Sequence, residues 1–291
     1  MSSKLVMRGM IGFYIFLFFA YLFGPLLVMS ITAFNTPNYP QAYPFEGFTL
    51  DWFVKLAHHR QMIEGLWNSF IIGIGVVCIA VPVGLAAAIM MGQIYHRARG
   101  LFYLVTVSPV LTPGVIIGIS TVIFWKDMMG LTDFTKAYFY KGIILSIFGQ
   151  ASFIAAYCLL VIMARLQRFD RSLEEAALDL GATFPQVFWH ILLPFLKPAM
   201  ISAAVIAFLS SFENYNTTTF AILADKTLVT VLAGEVRQGT TPALSALAVI
   251  IISISLVGAI AYEVMKRREE GAAQRAAERA KLAETVYVQP A

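Results

Sequence analysis

Charged residues are scarce in this sequence. Asp, Glu, Lys and Arg make up 13% of its 291 residues, which is about half of their usual share in soluble domains. Hydrophobic residues make up 59%, and the mean hydropathy is +0.74. A water-soluble domain of this length could not bury so much apolar surface, because the buried fraction is limited by chain size. The composition therefore excludes an ordinary soluble fold and predicts a protein that is solvated by lipid.

The sequence also lacks the residue patterns of catalytic and metal sites. Its two cysteines, Cys78 and Cys158, lie inside apolar stretches and have neither metal-ligand spacing nor the number that a disulfide framework needs. The phosphate-cradling pattern G-x-x-x-x-G-K-[ST] is absent. No Ser, His, Asp or Cys set suggests catalysis. We therefore expect no catalytic residue, no metal ligand and no cofactor in this chain.

Six apolar runs are long enough to cross the hydrocarbon core as helices, which takes about 20 residues. An open sheet would leave unpaired backbone groups in lipid, and the runs do not alternate as barrel strands do. The predicted fold class is an all-α membrane protein with six transmembrane helices, set in the lipid bilayer as a multi-pass protein. The runs are Met10–Ala33, Leu66–Met91, Leu101–Trp125, Gly142–Ala164, Ala199–Leu223 and Leu244–Tyr262.

The distribution of Lys and Arg predicts the orientation. Of the 21 such residues, 14 fall on one side of the six predicted spans and seven on the other. Cytoplasmic loops carry the excess of positive charge, so both termini should be cytoplasmic. The net charge of +4 then reflects these loops rather than a nucleic-acid partner. The predicted parts are a cytoplasmic N-terminus at 1–9, a transmembrane domain at 10–265 and a cytoplasmic tail at 266–291, whose alanine-rich, charged sequence favours a helix.

The predicted cytoplasmic loop at residues 165–198 begins with the signals of a short helix. Ser172 is followed three residues later by Glu175, which is a capping-box pattern, so a helix should begin at Ser172. Good helix formers follow, and Gly181 should end the helix. We therefore expect a short helix that lies outside the membrane.

A second short helix should follow in the same loop. Thr183 and Pro185 are placed to open it, with the proline in the tolerated first turn. Pro194 and Pro198 are expected to break it before the fifth span begins. The pair of short helices would form a knob that fits a groove in another protein.

This loop resembles the EAA loop of ABC importer permeases. Glu175-Ala176-Ala177 is followed after three residues by Gly181, after nine more by Ile191, and then by Leu193-Pro194. The resemblance, over about residues 60–265, implies the type I ABC importer permease fold. The residues that it assigns to ATPase coupling are Glu174, Glu175, Ala176, Ala177, Asp179, Gly181, Ile191, Leu193 and Pro194. A pure capping role for Glu175, and helix propensity alone for the two alanines, are the alternatives.

The resemblance also implies obligatory partners. A dimer of separate ATPase subunits would bind ATP and Mg and dock on the loop, and a second, different permease chain would complete the pathway. A periplasmic or extracellular solute-binding protein would deliver the solute. The expected location is the bacterial inner membrane. An ion-coupled secondary transporter would instead show inverted repeats and several intramembrane charges.

Glu213 is the one charged residue in the six runs. Since a charge at the bilayer centre costs at least about 2.5–3.5 kcal/mol, it should face the bundle interior or a watery cavity. By the spacing of three and four residues, it shares one helical face with Ser210, Asn216, Thr217 and Phe220. We predict that a polar stripe of Ser210, Glu213, Asn214, Tyr215, Asn216 and Thr217 lines a pathway for a cationic solute. Alternatively, Glu213 is protonated or paired with another helix, and the hydroxyl and amide side chains join helices.

The last two spans resemble those of spermidine/putrescine-type permeases. The segments SFENYNTTTF (211–220) and VRQGTTPALSALA (236–248), with Thr227-Leu228 between them, follow that layout. This resemblance implies a polyamine or a related amine as the solute. The family often has an acidic pair where this chain has Glu213-Asn214. An opine-like solute, an amino-acid-derived amine or another small solute therefore remains open.

Overall fold

The computed structural model describes residues 2–129, 140–258, 260, 264 and 267. The regular elements among these residues are helices, apart from one isolated antiparallel bridge between Asn35 and Phe48. The all-α prediction is therefore confirmed. The chain forms two compact units, one of Met1–His58 with Gly239–Ala291 and one of His59–Gln238.

The first unit contains the helices α1, α2 and α12. They run over Ser2–Phe34, Asp51–Ala57 and Pro242–Gly258. The apolar side chains of α1 are mostly exposed, as expected for a helix in contact with lipid. Thr32 on α1 donates a hydrogen bond to the Ser245 hydroxyl on α12, at 2.8 Å. This buried bond joins the two apolar helices of the unit.

Asn35 organises the loop that follows α1. Its side chain is 1% exposed and donates to the carbonyl groups of Gln41 and Pro44 at 2.9 and 3.2 Å. Its side-chain oxygen accepts from the N–H of Glu46 at 2.9 Å, and its backbone carbonyl accepts from Trp52 Nε1 at 2.7 Å. The side chain and the backbone carbonyl of Asn35 thereby satisfy buried polar groups of the loop, in addition to its isolated bridge with Phe48.

The second unit is built around three apolar helices, α3, α6 and α9, whose small and aliphatic side chains form a common buried core. Its elements in chain order are α3 (Arg60–Gln93), α4 (His96–Leu111), α5 (Gly114–Met129), α6 (Gly142–Leu166), α7 (Ser172–Asp179), α8 (Phe184–Val187), a π turn (Phe188–Leu192), α9 (Leu193–Phe212), α10 (Thr218–Ala221) and α11 (Leu228–Gln238).

A glycine lets α3 and α6 approach closely. A Cβ atom built on Gly84 would lie 2.5 Å from Cys158 Cβ and 2.9 Å from the Ala155 carbonyl oxygen. Membrane helices gain little from apolar burial against each other, since lipid is equally apolar, and close packing of small residues replaces that driving force. Gly84 therefore sets the distance between the two helices.

Four described helices are long and apolar enough to cross a membrane: Val6–Phe34, Arg60–Gln93, Gly142–Leu166 and Phe184–Phe212. The described part of the predicted sixth span is the 17-residue helix α12. The predicted tail helix beyond it lies almost entirely outside the described residues. The predictions of spans one, two and four as continuous helices are confirmed.

The predicted third span is not one straight helix. Its two halves, α4 and α5, are bent by 100° at Thr112 and Pro113. Thr112 has extended backbone angles (φ −82°, ψ 130°), because proline disfavours the helical conformation of the residue before it and supplies no N–H. The span predicted at Leu101–Trp125 therefore consists of two helices joined at a sharp bend.

The predicted break at Pro194 and Pro198 is also wrong. The chain is helical without interruption from Phe184 to Phe212. A π turn precedes Pro194, and in it the N–H of Leu193 bonds to the Phe188 carbonyl. This wider turn shifts the hydrogen-bond ladder by one residue and gives the proline ring room where a regular helix would clash. The long apolar helix therefore begins at Phe184 and ends at Phe212, whereas the fifth span was predicted at Ala199–Leu223.

The first helix of the loop begins at Ser172 as predicted, but the expected capping box is absent. No side-chain cap hydrogen bond forms at the start of α7, where Arg171 is the N-cap residue. Instead, the Asp170 carboxylate accepts from the Ser172 N–H at 3.0 Å, and this bond lowers the pKa of Asp170. An aspartate two residues earlier has taken the backbone donor in a local turn, which leaves Glu175 free of a capping role.

The helix α7 ends at Asp179, and Gly181 terminates it as the C′ residue, as predicted. Gly181 has φ +87°, its N–H bonds to the Leu178 carbonyl at 2.9 Å, and the Ala182 N–H bonds to the Ala177 carbonyl at 3.0 Å. These two bonds form a Schellman motif. The predicted start of the second helix is also confirmed, since the N–H of Thr183 donates to the Gln186 side chain at 2.7 Å.

We expect Gly84→Ala to lower the melting temperature of the purified protein, because an added methyl overlaps α6 and overpacking costs about 1–3 kcal/mol. Thermal unfolding in detergent measures the effect. The control is Gly234→Ala on α11, where a Cβ meets nothing within 4 Å and alanine favours the helix. Equal melting temperatures for the two variants would contradict a tight contact at Gly84.

We expect Gly181→Ala to loosen the end of α7, since a non-glycine residue in the left-handed region costs about 1–2 kcal/mol. Amide hydrogen exchange over residues 172–183 should become faster. Gly181→Asn should leave the exchange nearly unchanged, because asparagine tolerates this conformation. The same exchange rate in both variants would mean that the turn does not depend on the positive φ.

Candidate functional site

The segment around Glu213 is a break between two helices. The helix α9 ends at Phe212, and Glu213 follows as its C-cap. The Asn214 side-chain oxygen then accepts from the N–H groups of Thr217 and Thr218, at 3.1 and 3.3 Å. An asparagine that caps a new turn competes with continuation of the old helix. The predicted continuous helical face from Ser210 to Phe220 is therefore wrong.

The break distributes the predicted pathway residues over different environments. Glu213 and Asn216 are exposed, whereas Ser210, Asn214 and Tyr215 are half-buried. Thr217 is completely buried, so in this conformation it is not accessible to a solute. The structure therefore leaves one carboxylate and one amide of the predicted stripe open to solvent.

The break after α9 packs against the break between α4 and α5. A Cβ atom on Gly118 would lie 2.5 Å from the Thr217 carbonyl oxygen, and one on Gly114 would lie 3.0 Å from Asn216 Cβ. Both glycines lie in the first part of α5, just after the bend at Pro113. Non-helical backbone at membrane depth is tolerated where protein covers it or where it lines a watery cavity. Each break thus covers non-helical backbone of the other and shields it from lipid.

Gln150 on α6 is a site residue that the sequence analysis missed. It is 1% exposed, donates to the Thr218 hydroxyl at 2.7 Å and accepts a hydrogen bond from the Ser211 hydroxyl. One amide therefore holds both sides of the break. The signal that could have identified Gln150 in the sequence is a polar amide side chain within a run of apolar residues. The Thr217 hydroxyl, by contrast, has no hydrogen-bond partner among the described atoms.

A polar cluster on α11 and its neighbours was also missed. Arg237 donates to the Tyr215 hydroxyl at 2.8 Å, which fixes the ring beside the break. On the same helix, Glu235 lies 3.5 Å from His59 Nε2 at the start of α3. A cavity of about 380 Å³ lies between these groups and Asp225. The cluster connects α11 to the segment that contains Glu213.

The predicted cytoplasmic loop at residues 165–198, called the coupling loop below, presents a mixed acidic and apolar surface. Glu175, Ala176, Asp179, Gly181 and Pro194 are exposed, whereas Glu174, Ala177, Ile191 and Leu193 are half-buried. Two large apolar side chains beside the glycine turn are also open to solvent, with Leu180 at 89% and Phe184 at 78% exposure. On the opposite side, Val187 and Leu192 are buried against the bundle. One face of the loop is therefore anchored, and the other is available to a partner.

The described residues contain no cluster of side chains of the kind that binds a metal ion. Within residues 2–129 and 140–258, no group of three or more His, Cys, Asp or Glu side chains could hold a metal ion. The site consists of a carboxylate at a helix break and a loop surface.

Comparison with known proteins shows relatives along most of the chain. The putrescine transport system permease protein PotI of Escherichia coli (strain K12) is 29% identical over 256 residues, which cover 87% of this chain and 89% of that protein. The spermidine/putrescine transport system permease protein PotC of Haemophilus influenzae is 25% identical over 267 residues, which cover 88% and 95%.

Solved structures share the fold. A chain from the crystal structure of a bacterial ABC transporter involved in the import of the acidic polysaccharide alginate aligns with a TM-score of 0.67 at 20% identity, covering 91% of this chain and 96% of that chain. A second structure of a bacterial alginate transporter, in complex with a pentasaccharide-bound periplasmic protein, gives a TM-score of 0.65 at 19% identity and covers 87% and 91%. At these identities the likeness concerns the fold alone.

The family model described as "binding-protein-dependent transport system inner membrane component" matches residues 80–271, which include the coupling loop and the break at Glu213. Because this match spans well over half of the sequence, the chain belongs to that family and is the non-catalytic permease subunit of an ABC importer.

Proposed function

We propose that this permease imports a small cationic amine of the polyamine class across the bacterial inner membrane. The observation that carries the proposal is the exposed carboxylate of Glu213 at the break after α9. No basic side chain of the described residues forms an ion pair with it. The names of the relatives, which refer to putrescine and spermidine, support the same solute class.

An unpaired carboxylate beside apolar helices attracts ammonium groups more strongly than one in water does, since the local dielectric is lower. Tyr215, whose ring is fixed by Arg237, adds an aromatic surface that can interact with a cation. Asn214 supplies no second charge, and its oxygen is engaged in capping. This favours a singly charged or amino-acid-derived amine as the second candidate.

We propose that the chain crosses the membrane six times with both termini in the cytoplasm. The bent pair α4–α5 then serves as the third span and α12 belongs to the sixth. The transmembrane domain occupies residues 10–265 between the N-terminus at 1–9 and the tail at 266–291. The excess of Lys and Arg on the side of the coupling loop supports this orientation.

The coupling loop is the proposed docking surface for a dimer of ATPase subunits, which bind ATP and Mg. Ala176 is small and exposed, so a partner can approach α7 closely, and Leu180 and Phe184 supply apolar area. The helix from Phe184 to Phe212 has 29 residues, a length of about 40 Å. A displacement of the loop is therefore carried along one continuous helix to Glu213.

Two further partners complete the proposal. A second, different permease chain forms the other half of the pathway, and a periplasmic solute-binding protein delivers the solute. Movement of the coupling loop then exposes the segment at Glu213 alternately to the two sides. The two conformations must bind solute or nucleotide differently for either one to shift the equilibrium.

We expect Glu213→Gln to raise the KM for putrescine or spermidine by about tenfold, because one lost charge interaction of about 1.4 kcal/mol weakens binding tenfold. Uptake into proteoliposomes with the assembled importer measures it. The control Glu64→Gln removes an exposed carboxylate near the start of α3 and should leave the KM unchanged. Unchanged uptake in the Glu213 variant would remove the basis for a cationic solute.

We expect Ala176→Trp to displace the ATPase subunit, because a bulky ring on the exposed face of α7 prevents close approach. Co-purification with the ATPase should fall by about tenfold or more, which corresponds to about 1.4 kcal/mol. The control Ala164→Trp places the same side chain on an exposed position of α6. If both variants retained the ATPase equally, the docking surface would lie elsewhere.

A further inference from the structure

The second unit contains a cavity of about 800 Å³ that the transport proposal does not use. It lies where α3 and α6 end and α4 begins, with the start of α7 along one side. Its walls include Gly92 and Gln93 of α3, Gly100 and Tyr103 of α4, and Leu166 of α6. The volume is within the range of about 300–1,000 Å³ that is typical of small-molecule sites. The Glu213 segment does not line it.

The rim of the cavity is basic. Arg99 and Arg171 both line it, and Glu174 is the single carboxylate among the lining residues. Arg171 donates to the Gly92 carbonyl at 3.3 Å, which holds its guanidinium at the opening. Neither arginine forms an ion pair with a carboxylate of the described residues. The rim therefore offers guanidinium donors to an anion.

The floor of the cavity is apolar. Ala88 and Met91 of α3, and Leu192 of the π turn, are buried side chains at its base. Met163 and Leu166 of α6 extend this apolar surface. A small soluble anion would pair with the rim and leave the floor uncovered, whereas a purely apolar ligand would leave the arginines without a partner.

The position of the cavity matches a membrane boundary. The apolar helices α3 and α6 end beside it, at Gln93 and Leu166, so the hydrocarbon-facing surface of the bundle stops at this level. Tyr103 lines the same cavity, and tyrosine is enriched at the interface between lipid and water. Basic pockets between transmembrane helices at such a boundary bind phospholipid head groups.

We propose that this cavity binds one anionic phospholipid. Its phosphate is held by Arg99 and Arg171, with charge-assisted hydrogen bonds, and the first methylenes of its acyl chains lie along the apolar floor. Glu174 belongs to α7, so the lipid fills the space between the coupling helix and the bundle. This proposal is independent of the solute that the permease carries.

The first test is lipid retention by the full-length chain, purified with the subunits that accompany it. Native mass spectrometry would compare retained phosphatidylglycerol with phosphatidylcholine after exchange into mixed micelles of both. We expect Arg99→Gln with Arg171→Gln to reduce the preference for phosphatidylglycerol by on the order of thirtyfold, the factor that two arginines supply near an anionic surface. The control is Arg97→Gln with Arg168→Gln, an equal loss of charge at two exposed arginines that do not line the cavity.

A second variant tests the cavity itself without changing any charge. Gly100 lines the cavity, and a Cβ atom on it meets nothing within 4 Å. Gly100→Leu therefore adds an apolar side chain at the cavity wall, and leucine favours the helix. It should lower retention of phosphatidylglycerol about as much as the double arginine variant. Soluble glycerophosphoglycerol and inorganic phosphate, which lack acyl chains, should fail to displace the lipid. Equal losses in both double variants, full retention in Gly100→Leu, or displacement by either soluble phosphate would overturn the proposal.

Discussion

One continuous helix determines how this permease can work. The chain is helical from Phe184, beside the glycine turn of the coupling loop, to Phe212, beside the carboxylate of Glu213. An unbroken helix transmits a rotation or a shift along its axis, whereas a flexible joint would absorb it. The π turn at Phe188–Leu192 preserves this continuity, because it accommodates Pro194 where a regular helix would break.

Close packing in the second unit supports this continuous helix. Gly84 brings α3 against α6, and the apolar residues of α3, α6 and α9 form one core. Closely packed protein interiors have low compressibility. A force on α9 therefore moves the packed helices together rather than compressing them. At one end, Arg165 of α6 also donates to the Phe195 carbonyl of α9 at 3.1 Å. The first turn of α9 is therefore fixed to α6 by a charge-assisted hydrogen bond as well as by packing.

Composition and apolar runs were sufficient to predict the helical class and most of the long apolar helices, and the positions of Ser172, Gly181, Thr183 and Pro185 predicted the two short helices of the coupling loop. They failed where a local side chain competes with the periodic pattern. Asn214 ends one helix by capping the next. The Asp170 carboxylate accepts from the Ser172 N–H, which the Glu175 side chain was expected to bind. The pairing of Gln150 with both sides of the break joins residues far apart in sequence. Periodicity contains no information on such long-range contacts.

The break at Glu213 must be both polar and stable, and Gln150 explains how it is both. A helix end inside a membrane has unpaired backbone and hydroxyl groups that lipid cannot satisfy. The Gln150 amide pairs with Ser211 before the break and with Thr218 after it, so the carbonyl and amide of one buried side chain fix the geometry on both sides. Any motion of α9 that left α6 behind would break the buried bond between Ser211 and Gln150, at a cost of about 1–3 kcal/mol. The helix from Phe184 to Phe212 and α6 should therefore move as one body.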